Sequence, residues 1–272
     1  MSEKLQAKTT RHLGKLARES TRHGAAAASH QRKRSDWRML LVLPAWVFVA
    51  FIVSQLVVIG LVALLSWLGA PLDNYLRPAA QQTVVALAVY VVAVALTVGV
   101  PYVALRQKVD LQLLGIHRLP SWSDIGLAPV GFVVYLIATT VVMSTVVAYV
   151  TGFQANQAQD IGFQAFGSQL DNALAFLTLV VLAPIAEELL FRGYLYGKLK
   201  SYIPTVVAAI ATSLLFGLVH FAWNVGIDVF VLGLVLCALR SLTGSIWAGV
   251  LLHMIKNGIA YYLLFVSPLV GG

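Results

Sequence analysis

Two adjacent glutamates, Glu187 and Glu188, lie in an apolar stretch of the sequence. An ionisable group in hydrocarbon costs about 2.5 kcal/mol or more, so each such group is by default a candidate functional residue. Arg192 follows Glu188 by four residues, which places both on one helix face, where they can pair. Glu187 is rotated by about 100° from Glu188, so it remains available to hold a proton or to polarise water.

Two histidines and an asparagine supply further groups for the same chemistry. His220 follows Phe216 by four residues, and Asn257 follows His253 by the same spacing in a later apolar stretch. Glutamate and histidine act as general bases on water, whereas histidine and asparagine donate hydrogen bonds to a developing oxyanion. Together these groups suffice for peptide hydrolysis. Taken singly, each pair also fits hydrogen bonding or packing between membrane helices.

Two other residues of the apolar tracts, Asp228 and Lys256, are interpreted as positional. Asp228 is expected near the external end of its span, and Lys256 can extend its amine towards the membrane surface. Cys237 is the single cysteine, which excludes a disulfide within the chain and a multi-cysteine zinc site.

The three spaced pairs resemble the signature of the CPBP group of intramembrane proteases, which includes CAAX proteases and bacteriocin-processing enzymes and is also called the Abi family. That signature is Glu-Glu-x-x-x-Arg, Phe-x-x-x-His and His-x-x-x-Asn on separate helices, and all three motifs are intact here. The flanking segments APIAEELLFRGYLYG and LRSLTGSIWAGVLLH also resemble the family. The likeness covers residues 172–264.

The resemblance implies an intramembrane endopeptidase, a hydrolase that cleaves a peptide bond of a membrane-associated protein or peptide through an activated water. Within the family, prenylated CAAX proteins are substrates of some members, and others are linked to bacteriocin maturation or self-immunity. The sequence does not indicate which of these substrates or roles applies.

The resemblance also implies roles for the motif residues. The catalytic set is Glu187, His220, His253 and Asn257, and the residues that orient the site are Glu188, Arg192 and Phe216. Glu187 with His220 is expected to activate the attacking water. The other two catalytic residues are expected to form the oxyanion hole, and Phe216 is expected to support His220.

No organic cofactor is expected, and the family has been described both as metal-dependent and as glutamate-based without a metal. A divalent ion such as zinc would take Glu187, His220 and His253 as its ligands. If His253 serves the oxyanion instead, only two ligands remain, which favours a site without a metal.

Composition indicates a membrane protein. Of 272 residues, 59% are hydrophobic and 11% are charged, and the mean hydropathy is +0.83. A soluble domain carries far more charge. At ~20 residues per crossing, the chain predicts an all-α membrane helix bundle of about seven to eight transmembrane helices. The apolar stretches are 39–67, 83–105, 127–150, 173–196, 203–223, 225–239 and 245–266, and an amphipathic segment at 109–122 is expected along the interface.

Basic residues are concentrated near the N-terminus. Ten of the nineteen Lys and Arg residues lie between Lys4 and Arg38, and the formal net charge is +8. Residues 1–38 therefore predict a disordered cytoplasmic tail attracted to anionic lipid headgroups, followed by a protease domain at 39–272. Because the rest of the chain is nearly neutral, no nucleic-acid partner is expected. The long polar leader argues against a cleaved signal peptide.

The distribution of basic loops predicts the orientation. Basic residues follow alternate spans, namely Arg106, Lys108, Arg118, Lys198, Lys200 and Arg240, with Arg77 as the exception. The positive-inside rule then gives a cytoplasmic N-terminus and, with seven spans, an external C-terminus. The expected location is the cell membrane, a bacterial plasma membrane or alternatively an organelle membrane.

Two other functions fit the same residues. A non-catalytic scaffold of this fold would bind and regulate a partner in the membrane. A transporter would use the buried ionisable groups as a proton relay, although the sequence lacks the internal repeat found in many transporters. The sequence leaves the oligomeric state open.

Overall fold

The computed structural model describes residues 36–151, 153 and 168–267, and within these ranges it contains helices and no strand. Residues 1–35 of the predicted tail lie outside the described part of the chain. The described helices are α1 (Met39–Trp67), α2 (Pro78–Ala104), α3 (Leu111–Leu114), α4 (Trp122–Tyr149), α5 (Gln169–Leu199), α6 (Thr205–Leu218), α7 (Trp223–Thr243) and α8 (Trp247–Val266). The predicted all-α membrane bundle is confirmed.

Six of these helices, all except α3 and α6, are long and apolar enough to cross a bilayer. A full span was expected at 203–223, but α6 has only 14 residues. It is therefore about 21 Å long, against a hydrocarbon core of about 30 Å. Pro204 precedes the helix, and Phe221 adopts a left-handed conformation with φ of 54° just beyond its end. Among the described residues, the number of full-length crossings is thus smaller than the sequence suggested.

Helix α6 packs tightly against α7. A Cβ atom added to Gly217 would lie 2.6 Å from the Gly226 carbonyl oxygen, and one added to Gly233 would lie 2.8 Å from Ser213 Oγ. These two approaches show that α6 and α7 run antiparallel on either side of the turn at 219–222. The turn carries His220 and is held in place by the glycine contact.

The segment after α2 and basic residues in the last turns of α5 and α7 meet at one end of the bundle. Arg240 donates to the Leu113 carbonyl over 2.9 Å, and Lys198 donates to the Gln107 side chain. Gly115 has φ of 73°, and an added Cβ would lie 2.7 Å from Arg240 Nε. The segment expected along the interface, 109–122, therefore forms the short α3 and a loop packed against α7. That this end faces the cytoplasm stays a prediction.

Proline interrupts the hydrogen-bonding pattern of α2. Pro101 has no N–H to donate to the Thr97 carbonyl four residues earlier, and residues Ala95–Gly99 form a π-helical turn. The Trp46 indole of α1 donates to that carbonyl over 3.2 Å. A side chain from a neighbouring helix thus satisfies the released backbone group inside the bundle.

Candidate active site

The Glu188–Arg192 pair lies at the centre of the bundle. Both side chains are fully buried, and Arg192 Nη1 donates to Glu188 Oε1 over 2.9 Å. The guanidinium also lies over the Phe216 ring, 4.2 Å from its centroid. Two buried charges need such partners, because an unpaired buried charge is strongly destabilising. The Glu188 carboxylate is therefore the buried partner of Arg192.

Glu187 points away from that pair. Its side chain is 18% exposed, whereas that of Glu188 is 0% exposed. The rotation of about 100° between neighbouring helix residues accounts for the difference. Of the two glutamates, Glu187 is the one that a small molecule such as water can reach.

His253 of α8 lies between the two glutamates. Its Nδ1 atom is 3.2 Å from Glu188 Oε1, and its Nε2 atom is 3.8 Å from Glu187 Oε2. An ionised carboxylate only accepts hydrogen bonds, so the proton on Nδ1 is donated to Glu188. Gly249, one turn before His253, permits this approach, because an added Cβ would lie 3.1 Å from Glu188 Oε2.

His220 is oriented by the backbone of α6. Its Nδ1 atom lies 2.7 Å from the Phe216 carbonyl oxygen. Since a carbonyl oxygen cannot donate, Nδ1 carries the proton, and the neutral imidazole has its lone pair on Nε2. This is the tautomer that can accept a proton from water. His220 also lies close enough to Glu187 for the two to interact electrostatically.

Phe216 joins the two histidines. Its ring meets that of His220 edge to face with centroids 5.1 Å apart, and that of His253 with centroids 5.9 Å apart. The span expected at 203–223 would place His220 near its end, whereas Glu187 and His253 lie nearer the middle of theirs. The early end of α6 instead brings His220 to the same ring as His253.

Asn257 contacts the backbone of α5. Its amide Nδ2 donates to the Leu179 carbonyl over 2.9 Å. Leu179 belongs to the π-helical turn Leu177–Leu182, which lies just before Pro184 in α5. Asn257 thus joins α8 to the irregular part of α5. To donate to an oxyanion, it would have to use its second amide N–H or release the Leu179 carbonyl.

The candidate metal ligands are not arranged as a ligand set. Within the described ranges, no three His, Cys, Asp or Glu side chains are placed to hold a metal ion. His220 Nδ1 faces a backbone carbonyl and His253 Nδ1 faces Glu188, so only the Nε2 atom of each ring could ligate a metal. In the described arrangement, Glu187, His220 and His253 do not form a ligand set.

Sequence reasoning missed Tyr90 of α2. Its hydroxyl donates to Glu187 Oε1 over 2.7 Å, although the two residues are 97 positions apart. One signal was present in the sequence: between Thr83 and Thr97, Tyr90 is the only residue whose side chain can form a hydrogen bond.

Asp228 and Lys256 form a second polar cluster. Asp228 Oδ1 accepts hydrogen bonds from Tyr135 at 2.6 Å and Thr139 at 2.7 Å, and Oδ2 lies 3.6 Å from Lys256 Nζ. Lys256 thus pairs with Asp228. The cluster connects α4, α7 and α8, a positional role of the kind the sequence suggested.

Residues 169–259 match a family model described as Type II CAAX prenyl endopeptidase Rce1-like. This segment is similar to the Rce1-like family. The match confirms the predicted resemblance to the CPBP group, and the Rce1-like segment contains all three motifs, from Glu187 to Asn257.

Two curated relatives share part of the chain. An uncharacterized 24.3 kDa protein of Escherichia coli is 33% identical over 120 residues, which cover 40% of this chain and 55% of the relative. The UPF0177 protein YxdF of Lactococcus lactis subsp. lactis (strain IL1403) is 33% identical over 95 residues, 34% of this chain and 51% of the relative. The chain therefore spans about half the length of the curated relatives it matches. No solved structure matches it.

The Rce1-like segment does not contain every contact of the site. Tyr90, which donates to Glu187, lies in α2, before the match begins. Tyr135 and Thr139, which hold Asp228, lie in α4, also before the match. The N-terminal helices therefore contribute side chains to the polar groups of the Rce1-like helices.

Proposed function

We propose that this chain is a CAAX-protease-like intramembrane endopeptidase, which hydrolyses a peptide bond of a membrane-associated protein or peptide. One observation carries the proposal: His253 lies between two glutamates with different environments. Glu188 forms a buried ion pair with Arg192, whereas Glu187 is partly exposed. A purely structural ion pair needs one glutamate. The second carboxylate, beside a histidine, is what water activation requires.

The proposed reaction begins at Glu187. Water attacks the carbonyl carbon of the peptide bond, and its proton passes to Glu187 while the carbonyl electrons move to the oxygen. His220, with its lone pair on Nε2, orients the water. When the tetrahedral intermediate collapses, the C–N bond breaks and the leaving amine takes the proton back from Glu187.

The oxyanion would be stabilised from α8. His253 can donate from Nε2 when that nitrogen carries a proton, and Glu188 on Nδ1 fixes the ring for this contact. Asn257 contributes if its second amide N–H turns from α5 towards the substrate. Each preorganised donor of this kind contributes about 10²–10³-fold to the rate of acyl transfer.

The proposed setting is the cell membrane with a cytoplasmic N-terminus, and the basic tail contacts anionic headgroups. The position of the basic segments at one end of the bundle supports this orientation. A prenylated protein or a bacteriocin precursor is a candidate substrate, and self-immunity is a candidate role.

The test compares membrane peptides from cells carrying the wild type, Glu187→Ala or Asp73→Ala. Asp73 is an exposed carboxylate in the turn Leu72–Asn74 and serves as the matched control. The expected result is one or more uncleaved peptides that accumulate with Glu187→Ala only. If no peptide differs at equal expression, the protease proposal is rejected. A cellular phenotype preserved in both Glu187→Ala and His220→Ala would favour the scaffold.

A further inference from the structure

We propose that Tyr90 is a positioning residue for Glu187, so that the active site includes α2, outside the Rce1-like segment. The inference rests on the proposed function, because it assigns Glu187 the role of proton acceptor. Its central observation is the 2.7 Å hydrogen bond from the Tyr90 hydroxyl to Glu187 Oε1.

The hydrogen bond distinguishes the two oxygens of Glu187. Oε1 is occupied by the Tyr90 hydroxyl, whereas Oε2 lies on the side of His253, 3.8 Å from its Nε2 atom. A glutamate side chain has three rotatable bonds and can adopt several rotamers. Fixing one oxygen turns the other towards His253 and keeps it there. Holding a reacting group in its productive geometry is a large part of catalysis.

Hydrogen bonds at Thr83 and at the Thr97 backbone hold α2 in place on either side of Tyr90. Thr83, Tyr90 and Thr97 are each seven residues apart, which is close to two helical turns, so they lie along one face. Thr178 of α5 donates to the Thr83 hydroxyl over 2.9 Å, and Trp46 donates to the Thr97 carbonyl over 3.2 Å. Tyr90 is therefore midway between two hydrogen-bonded contacts of its own helix.

Helix α2 runs parallel to α5 along this face. Thr83 of α2 contacts Thr178 of α5. Tyr90 lies seven residues after Thr83, and its partner Glu187 lies nine residues after Thr178. The π-helical turn Leu177–Leu182 adds residues to α5 without adding a full turn. This accounts for part of the difference between the seven-residue separation in α2 and the nine-residue separation in α5. The irregular turn thus brings Glu187 opposite Tyr90. Packing alone would be served equally well by a phenylalanine at this position.

The kinetic test is Tyr90→Phe, which removes only the hydroxyl. Purified protein in liposomes is assayed with the peptide that accumulates in the Glu187→Ala cells. Loss of a hydrogen bond to a charged group predicts a fall in kcat of about 10- to 100-fold, with KM changed less than about threefold. Tyr135→Phe is the matched control, because Tyr135 also donates to a carboxylate inside the bundle, Asp228.

A normal kcat in Tyr90→Phe, with Glu187→Ala inactive, overturns the positioning role and leaves the proposed function standing. An equal loss in Tyr90→Phe and Tyr135→Phe also overturns it, because the effect would then be general to the bundle. If Glu187→Ala itself retains activity, the proposed function fails first.

An infrared measurement tests the contact without a substrate. The carboxylate stretching bands of the wild type and Tyr90→Phe are compared, and the same pair is compared in the Glu187→Gln background. We expect a band shift in the first comparison that is absent from the second. A shift that persists with Glu187→Gln, or no shift at all, contradicts the inference.

Discussion

His253 Nδ1 lies 3.2 Å from Glu188 Oε1, so the third motif of the sequence contacts the first directly in the core of the bundle. The same carboxylate oxygen accepts a hydrogen bond from Arg192 at 2.9 Å. One oxygen atom therefore joins α5 to α8 and fixes the ring of a candidate catalytic histidine. Glu187, its neighbour in sequence, has no part in this bond. The two glutamates should consequently respond differently to the same substitution.

Glu188→Gln should destabilise the protein. The change leaves the Arg192 charge buried without its carboxylate, and breaking a buried pair in this way typically costs about 3–5 kcal/mol. Glu187→Gln should instead change stability by less than about 1 kcal/mol, because this side chain is partly exposed. Unfolding in detergent measures both values. Equal stabilities for the two variants would show that Glu188 and Arg192 do not form the structural pair.

Gly217→Ala should displace His220. The added Cβ would lie 2.6 Å from the Gly226 carbonyl oxygen, a distance that backbone cannot accommodate without α6 and α7 moving apart. We expect a loss of stability of about 1–3 kcal/mol from this overpacking and a lower rate of peptide hydrolysis. Gly60→Ala in α1 is the matched control, because nothing lies within 4 Å of its added Cβ. Normal activity in Gly217→Ala would contradict this prediction, because the reaction would then tolerate movement of the turn at 219–222 that carries His220.

A strong chelator should leave hydrolysis unchanged. The candidate ligands Glu187, His220 and His253 are not arranged to hold a metal ion in the described structure, and glutamate with histidine suffices to activate water. The measurement is the rate of purified enzyme after prolonged incubation with chelator, then again after zinc is added. Loss of activity with chelator and its recovery with zinc would contradict this expectation.

The parts of the site that follow from local spacing were predictable from the sequence. Glu188 and Arg192 are four residues apart in one helix, so the ion pair follows from helix geometry alone. The contact of Phe216 with His220 follows in the same way, because His220 follows Phe216 by four residues where α6 ends. In each case the partner is one turn away.

The contacts between distant residues were not predictable. The bonds from Tyr90 to Glu187 and from Tyr135 to Asp228 join residues 97 and 93 positions apart, and no periodicity specifies which helices become neighbours. The end of α6 was also missed, since residues 219–223 are mostly apolar and hydropathy does not register the left-handed backbone at Phe221. These features depend on tertiary packing.

The short α6 also has a consequence for the lipid around it. The helix is about 9 Å shorter than an average hydrocarbon core, while α1 and α5 are each longer than that core. At its end, the aromatic side chains of Phe221 and Trp223 are 72% and 80% exposed. Tryptophan favours the headgroup level, so the bilayer beside α6 would thin to place Trp223 there. This hydrophobic mismatch would make the depth of His220, and with it the access of water, depend on acyl-chain length.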